Sequence, residues 1–220
     1  MSNVLDIIGP VMIGPSSSHT AGAARLGRVA RLLLGQDAAR ARVTLYGSFA
    51  KTYRGHGTDR AIAAGVMGMA TDDARLRDAL DIARERGLDI TFEPGDLAGC
   101  HPNTALIDLT GADGRRVSLL GSSVGGGAIR VTEIDGMAVN ITGQRQTFVV
   151  LHRDVPGLIA AVTDVLAESG ANICDFHLAR ERKGGDAVMS IEVEGPVDAR
   201  ANKRIERLRD VTTSIMLQPV

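Results

Sequence analysis

Thr147-Phe148-Val149-Val150-Leu151-His152 is an apolar run rich in β-branched side chains and reads as a strand. The pattern of the next seventy or so residues decides the fold. Pro156 suits the start of a helix, because its fixed φ is already helical and its missing N–H is not needed there. Leu158, Val162, Val165 and Leu166 then recur at helical spacing up to Gly170, a residue suited to a helix end. Ala171 to Arg180 predicts a second strand and Gly184-Gly185 a turn. Ala187, Met189, Ile191 and Val193 form the inward side of a third strand. Asp198 to Arg209 carries Ala201, Ile205 and Leu208 on one stripe, and Val211 to Leu217 closes with a strand. The order is βαββαβ, a ferredoxin-like layout in which two helices cover one face of an antiparallel sheet.

Upstream, the polar stretch Thr142 to Gln146 marks a join, giving an N-terminal domain over 1–145 and a ferredoxin-like domain over 146–220. The first part reads as mixed α+β. A short helix or turn over Val4–Ile8 precedes a loop over Gly9–Ser18, and a helix runs from Thr20 to Leu34 with Leu26, Val29, Ala30 and Leu33 on one face. Ala41 to Phe49 is expected as a strand and Ala61 to Ala70 as a buried helix. Another helix follows Thr71 as N-cap. Leu88–Glu93, Thr104–Thr110 and Arg115–Leu120 complete the strands, the last two as a hairpin over Gly111-Ala112-Asp113-Gly114.

The whole chain has 220 residues, 44% hydrophobic and 23% charged, with a net charge of −1. Such proportions belong to a globular chain with a real core. A balanced charge gives no warrant for nucleic acid or an acidic membrane surface as partner. With 3% aromatics and no Trp, a base-stacking platform is not expected. The longest apolar run is too short for a bilayer, and the N-terminus lacks a basic leader, so a cytoplasmic protein is expected. Two cysteines, Cys100 and Cys174, make no disulfide framework. They are too few to ligate an iron–sulfur cluster and read as buried small hydrophobes.

Four polar, glycine-rich clusters carry the chemistry. In the first, Ser16, Ser17, Ser18, His19 and Thr20 stand where a loop enters a helix, with Gly22 just beyond. Free backbone N–H groups there favour an anion, and His19 can exchange a proton near neutral pH. Capping accounts for one hydroxyl, not for five polar side chains. In the second, Lys51 to Asp59, His56 lies between two glycines. This reads either as a ligand loop or as a turn with Thr58 or Asp59 as cap. The third, His101-Pro102-Asn103-Thr104, precedes a strand. The fourth, Gly121 to Gly127, has neither Walker nor dinucleotide spacing. It reads as a main-chain anion cradle, with Gly125 and Gly126 at its tip, or as a bulge. Together the clusters indicate a small polar anionic ligand.

The words GPSSSHTAGAARLG, LYGSFAKTYRGHGTDRAI, HPNTA, GSSVGGG and TEIDG, in that order behind VLDIIGP, closely resemble the β chains of bacterial iron–sulfur-dependent L-serine dehydratases over essentially the whole chain. The second part resembles an ACT domain. The first is similar to the allosteric substrate-binding domain of some D-3-phosphoglycerate dehydrogenases. The resemblance implies deamination of L-serine to pyruvate and ammonia, with a [4Fe–4S] cluster ligated by a partner α chain and acting as a Lewis acid. It implies proton transfer by His19 and His56. Ser16, Ser17, Ser18, Thr20, Thr58, Asp59, His101, Asn103, Gly125 and Gly126 are implied as substrate-binding positions. In the ACT part the matching ligand positions are His152, Asp154 and Asn172, with Asp154 standing where asparagine is expected. Homodimerisation through that part is implied as well. A non-catalytic, serine-sensing module is the alternative, because the cluster ligands are missing here.

Overall fold

The computed structural model describes residues 16–96, 99–195 and 197–219. The helix or turn expected over Val4–Ile8, and the loop before Ser16, lie outside the described residues. The chain divides into two compact units, one up to Val131 and the other from Thr132 on. Among the described residues no helix is long and apolar enough to cross a membrane.

In the first unit, Ser18–Gly22 forms one π-helical turn that runs straight into α1 (Ala23–Leu34). The Gly22 N–H donates to the Ser17 carbonyl at 3.0 Å, the wide i→i−5 pattern often found at functional sites. Leu26, Ala30 and Leu33 are fully buried, as the helical spacing predicts. The expected strand over Ala41–Phe49 is corrected in part. β1 spans Ala38–Leu45, and the chain then turns into α2 (Gly47–His56) and, across Gly57 at φ 72°, α3 (Thr58–Val66). The second polar cluster is thus two helices around a left-handed glycine, not a ligand loop. A 3₁₀ turn (Ala74–Asp78) leads into α4 (Ala79–Glu85). Its cap is Asp73, whose carboxylate accepts from the Arg75 N–H, rather than Thr71.

β2 (Asp89–Pro94), β3 (Thr104–Gly111) and β4 (Arg116–Gly125) follow the expected strands. β4 runs on through Gly121-Ser122-Ser123, so the fourth cluster is largely strand. β5 (Ala128–Ile134) and β6 (Met137–Ile141) are further strands. They join through Asp135 and Gly136, both at positive φ (51° and 75°), the backbone of a tight hairpin. The strand order is β2-β1-β3-β4-β5-β6, with β1 parallel to β2 and antiparallel to β3.

The second unit holds the predicted βαββαβ order: β7 (Gln146–Arg153), α5 (Leu158–Glu168), β8 (Asn172–Arg180), β9 (Asp186–Glu194), α6 (Ala199–Glu206) and β10 (Val211–Leu217). The sheet runs β10-β7-β9-β8. Phe148, Val150, Met189 and Ile191 pack with Val162, Leu166 and Ile205 of the helices in one apolar core. The simple inward–outward alternation expected of β9 does not hold. Val188, Ser190 and Glu192 on its other face are buried too, because β6 packs against β8 and β9. Glu192 accepts from the Thr142 N–H at 3.2 Å and the Thr142 hydroxyl at 2.7 Å, with Arg145 at 3.6 Å. The stretch from Thr132 to Arg145 therefore belongs by contact to the second unit, whereas composition places the join at 145/146.

Candidate functional site

His19 is the centre of the first unit's polar chemistry. The π turn carries it into the interior, where it is 6% exposed. Its Nδ1 lies 3.0 Å from the Thr58 hydroxyl and 3.5 Å from that of Thr52. Nε2 lies 3.4 Å from the Ser48 hydroxyl. These partners are set by helical spacing: Ser48, Thr52 and His56 stand four residues apart and share one stripe of α2, and Thr58 opens α3 just past Gly57. The imidazole meets His56 edge-on at 4.8 Å between ring centroids, and Phe49 at 5.1 Å. His56 itself is exposed at the end of α2. Burial holds His19 below its ordinary value of 6.5, and the neighbouring His56 charge lowers it further. His19 is consequently a neutral imidazole at pH 7, able to accept a proton.

The third and fourth clusters form an adjoining wall. Thr104 Oγ1 donates to the His101 carbonyl at 2.6 Å and shares a 2.6 Å hydrogen bond with Ser122 Oγ. Asn103 takes the Ser123 N–H on its carbonyl at 2.9 Å, and its own N–H donates to His101 Nδ1 at 3.1 Å. Two glycines let this wall close on the histidine's helices. A Cβ at Gly22 would stand 2.0 Å from Ser123 Oγ, and one at Gly47 2.6 Å from the Pro102 carbonyl oxygen. The Phe49 N–H donates to that same carbonyl at 3.3 Å. Thr20 Oγ1 and Ser123 Oγ are buried and have no hydrogen-bond partner among the described residues. These two hydroxyls leave polar capacity unspent in the first unit.

The predicted residues thus separate. Ser16 takes the His19 N–H on its hydroxyl at 3.4 Å, and Ser17 and Ser18 are half-buried in the same turn. Thr20, Thr58, His101 and Asn103 belong to the walls just described. Asp59 is buried but turned elsewhere: its Oδ1 accepts from the Arg60 N–H at 2.8 Å, and it lines a different cleft. Gly125 and Gly126 lie exposed in the β4–β5 turn, which Arg25 of α1 holds through the Gly127 carbonyl. The hydrogen bonds that gather the other clusters do not include them. Ser48 stands outside the four predicted clusters, and Thr52, Ser122 and Ser123 lie inside them without being singled out as ligand positions. The i, i+4, i+8 spacing of Ser48, Thr52 and His56 is the available signal for the first two.

In the second unit, His152 is buried on β7, its Nδ1 2.7 Å from the Arg153 carbonyl oxygen and its Nε2 without a partner among the described residues. The Asp154 carboxylate accepts from Arg180 at 2.8 Å and from the Gly184 N–H at 3.1 Å. These bonds, that to Gly184 foremost, hold its pKa low, and they tie it to the β8–β9 turn. Asn172 is exposed and pairs in register with Glu194, whereas His152 pairs with Ala187 at the opposite end of β9. One chain does not bring His152 and Asn172 together.

The cysteines are not buried hydrophobes: Cys100 is half-buried, and Cys174, on the edge strand β8, is exposed. Among the described residues no three His, Cys, Asp or Glu side chains gather to hold a metal ion. The chain's two thiols are fewer than the four that a [4Fe–4S] cluster takes from cysteine.

Comparison with known proteins gives a consistent picture. The serine dehydratase beta chain family matches residues 3–86 and the ACT domain family residues 146–210. The chain is 46% identical over 209 residues to the probable L-serine dehydratase, beta chain, of Bacillus subtilis, covering 95% of this chain and 94% of that one. It is 32% identical over 213 residues to the L-serine dehydratase, beta chain, of Peptoniphilus asaccharolyticus, covering 96% of each. A D-3-phosphoglycerate dehydrogenase of Synechocystis sp. is 26% identical over 140 residues, 62% of this chain and 25% of that one.

Proposed function

The chain belongs to the serine dehydratase β-chain family, and from that premise we propose that it is the β subunit of an L-serine ammonia-lyase whose α chain carries a [4Fe–4S] cluster. The observation that carries the reading is the buried, neutral His19 among the hydroxyls of Ser48, Thr52 and Thr58.

Deamination removes the α-proton and the β-hydroxyl of serine as water. The resulting 2-aminoacrylate tautomerises to an imine, which water hydrolyses to pyruvate and ammonia. The α-proton is weakly acidic, so its removal needs a base that is free at neutral pH and held in place. His19 meets both needs: burial and His56 keep it unprotonated, and the hydroxyls fix its ring. His56, edge-on and exposed, is placed to pass the proton to solvent. The orphan hydroxyls of Thr20 and Ser123 supply donors for an anionic substrate group. This chain's residues do not ligate the cluster; their part is to orient serine and to move its proton. The ACT unit contributes association between copies, with β8 as an edge strand that carries the exposed Phe176.

Anaerobic co-expression with a candidate α chain tests the reading. The pair is expected to form pyruvate from serine and to show cluster absorbance, the isolated chain neither. A His19→Gln pair should keep the absorbance and the association and lose turnover. If the isolated chain binds serine while a well-formed pair makes no pyruvate, the chain is a serine-sensing module and the lyase reading fails.

A further inference from the structure

On the side of α2 away from Ser48 and Thr52 lies a cleft of about 570 Å³ walled by α2, α4 and β2, within the size range of small-molecule sites. Its floor is apolar, built from Leu80, Leu88, Ile90 and Phe92. Tyr53 of α2 stacks on Phe92 with 6.4 Å between ring centroids. Four charged groups reach it, and two of them are engaged: Arg84 with Asp81 at 2.8 Å, and Asp89 with Arg40 at 3.5 Å.

The other two keep binding capacity unused. The Arg54 guanidinium lies over the Tyr53 ring at 5.4 Å and makes no ion pair among the described residues. Asp59 is 8% exposed. Its Oδ1 is met by its own neighbour, the Arg60 N–H at 2.8 Å, with Arg60 Nε at 4.0 Å. Its Oδ2 takes no hydrogen bond among the described residues. That oxygen is not sealed in the interior, and it is free to meet a cation in the cleft. An unpaired guanidinium, a near-buried carboxylate and an apolar floor in one cleft match three parts of one ligand: a carboxylate, an ammonium and an apolar side chain.

We propose that this cleft binds a free α-amino acid with an apolar side chain, the Arg54 guanidinium taking its carboxylate, Asp59 its ammonium and the Leu88–Phe92 floor its side chain. The site is separate from that of His19 yet one residue from it, since Thr58, which holds His19, precedes Asp59. An effect of occupancy on serine turnover rests on the β-subunit reading; binding does not.

Isothermal titration of the full chain with L-leucine, without any α chain, tests the binding itself. Saturable binding is expected, weakened about tenfold or more by Arg54→Gln and by Asp59→Asn. Leucine amide and N-acetyl-leucine, each lacking one charged group, should be weakened alike. Arg54 is exposed on a helix, so its variant keeps the test valid if Asp59→Asn fails to fold. The proposal is overturned by absence of saturable leucine binding, by binding that Arg54→Gln leaves unchanged, or by competitive displacement of leucine by L-serine. Because no turnover is measured, these outcomes are independent of whether the lyase reading holds.

Discussion

His19 combines 6% exposure with a pKa held below 6.5, and both its chemistry and its cost stem from that. Replacing it with Gln keeps a polar side chain but no base, so turnover of the α–β pair should fall by about 10²- to 10⁴-fold. The cost appears in stability. The unfolded chain protonates this histidine near its ordinary value, while the folded chain resists protonation until lower pH. The unfolded state therefore binds more protons, and stability is lost as pH falls below about 6.5. Urea unfolding across pH 5 to 8 should show that the His19→Gln variant loses less stability on acidification than the wild type. Identical slopes would mean that burial does not set the histidine's protonation. Gly22 offers a second test at this scale, because its missing Cβ makes room for Ser123 Oγ at 2.0 Å. Gly22→Ala should cost about 1–3 kcal/mol through overpacking. Ser123→Gly added to it should restore part of that, a coupling that a double-mutant cycle reads directly.

Helices α1 and α3 meet backbone to backbone, and glycine is what permits it. A Cβ at Gly65 would stand 2.0 Å from the Ala24 carbonyl oxygen, and one at Gly27 2.5 Å from that of Ile62. Alanine is intrinsically better in a helix than glycine by about 1 kcal/mol, but here a backbone atom, not a movable side chain, occupies the space. Gly65→Ala is therefore expected to lower the urea midpoint. Gly55→Ala in α2, with nothing within 4 Å of the new Cβ, should raise or keep it. A midpoint raised by Gly65→Ala would show that the two helices can part at little cost. The same elements show how far sequence pattern reaches. The second unit is legible because Phe148, Val150, Met189 and Ile191 alternate toward helices whose own apolar stripes match, so local pattern and tertiary packing agree. α2 is not, since its two glycines and polar stripe resemble a loop, and its polar side chains face His19 rather than a core. The π turn at Ser18–Gly22 has no sequence period of its own. β5 and β6 do carry a signal, alternation on both sides of Asp135-Gly136, which the reading by composition overlooks. The histidines and the serine run of the site are visible as residue types. Their convergence with Ser122 and Ser123 is not, because it depends on close approach at Gly22 and Gly47.

At the scale of the molecule, the two units divide at Val131/Thr132, and the physical reason lies in the second face of the β10-β7-β9-β8 sheet. An isolated βαββαβ module leaves that face to solvent, yet here Val188, Ser190 and Glu192 are buried beneath β6. Glu192 is 2% exposed, and its charge is tolerated because Thr142 donates two hydrogen bonds to it and Arg145 stands at 3.6 Å. Hydrogen bonds to a charged group contribute about 1.5–3 kcal/mol each, and a buried carboxylate stripped of them costs more than the bonds alone. We propose on this ground that the second domain is an ACT core with residues 132–145 folded onto it. A fragment spanning 132–219 should unfold cooperatively in urea. One spanning 146–219 should unfold at a lower midpoint or aggregate through the uncovered apolar face. In the longer fragment, Thr142→Ala should move the midpoint part of the way, because the Glu192 carboxylate loses the bond from the Thr142 hydroxyl and keeps that from the Thr142 N–H. Equal midpoints for the two fragments would return the join to 145/146 and make the cover of β6 incidental.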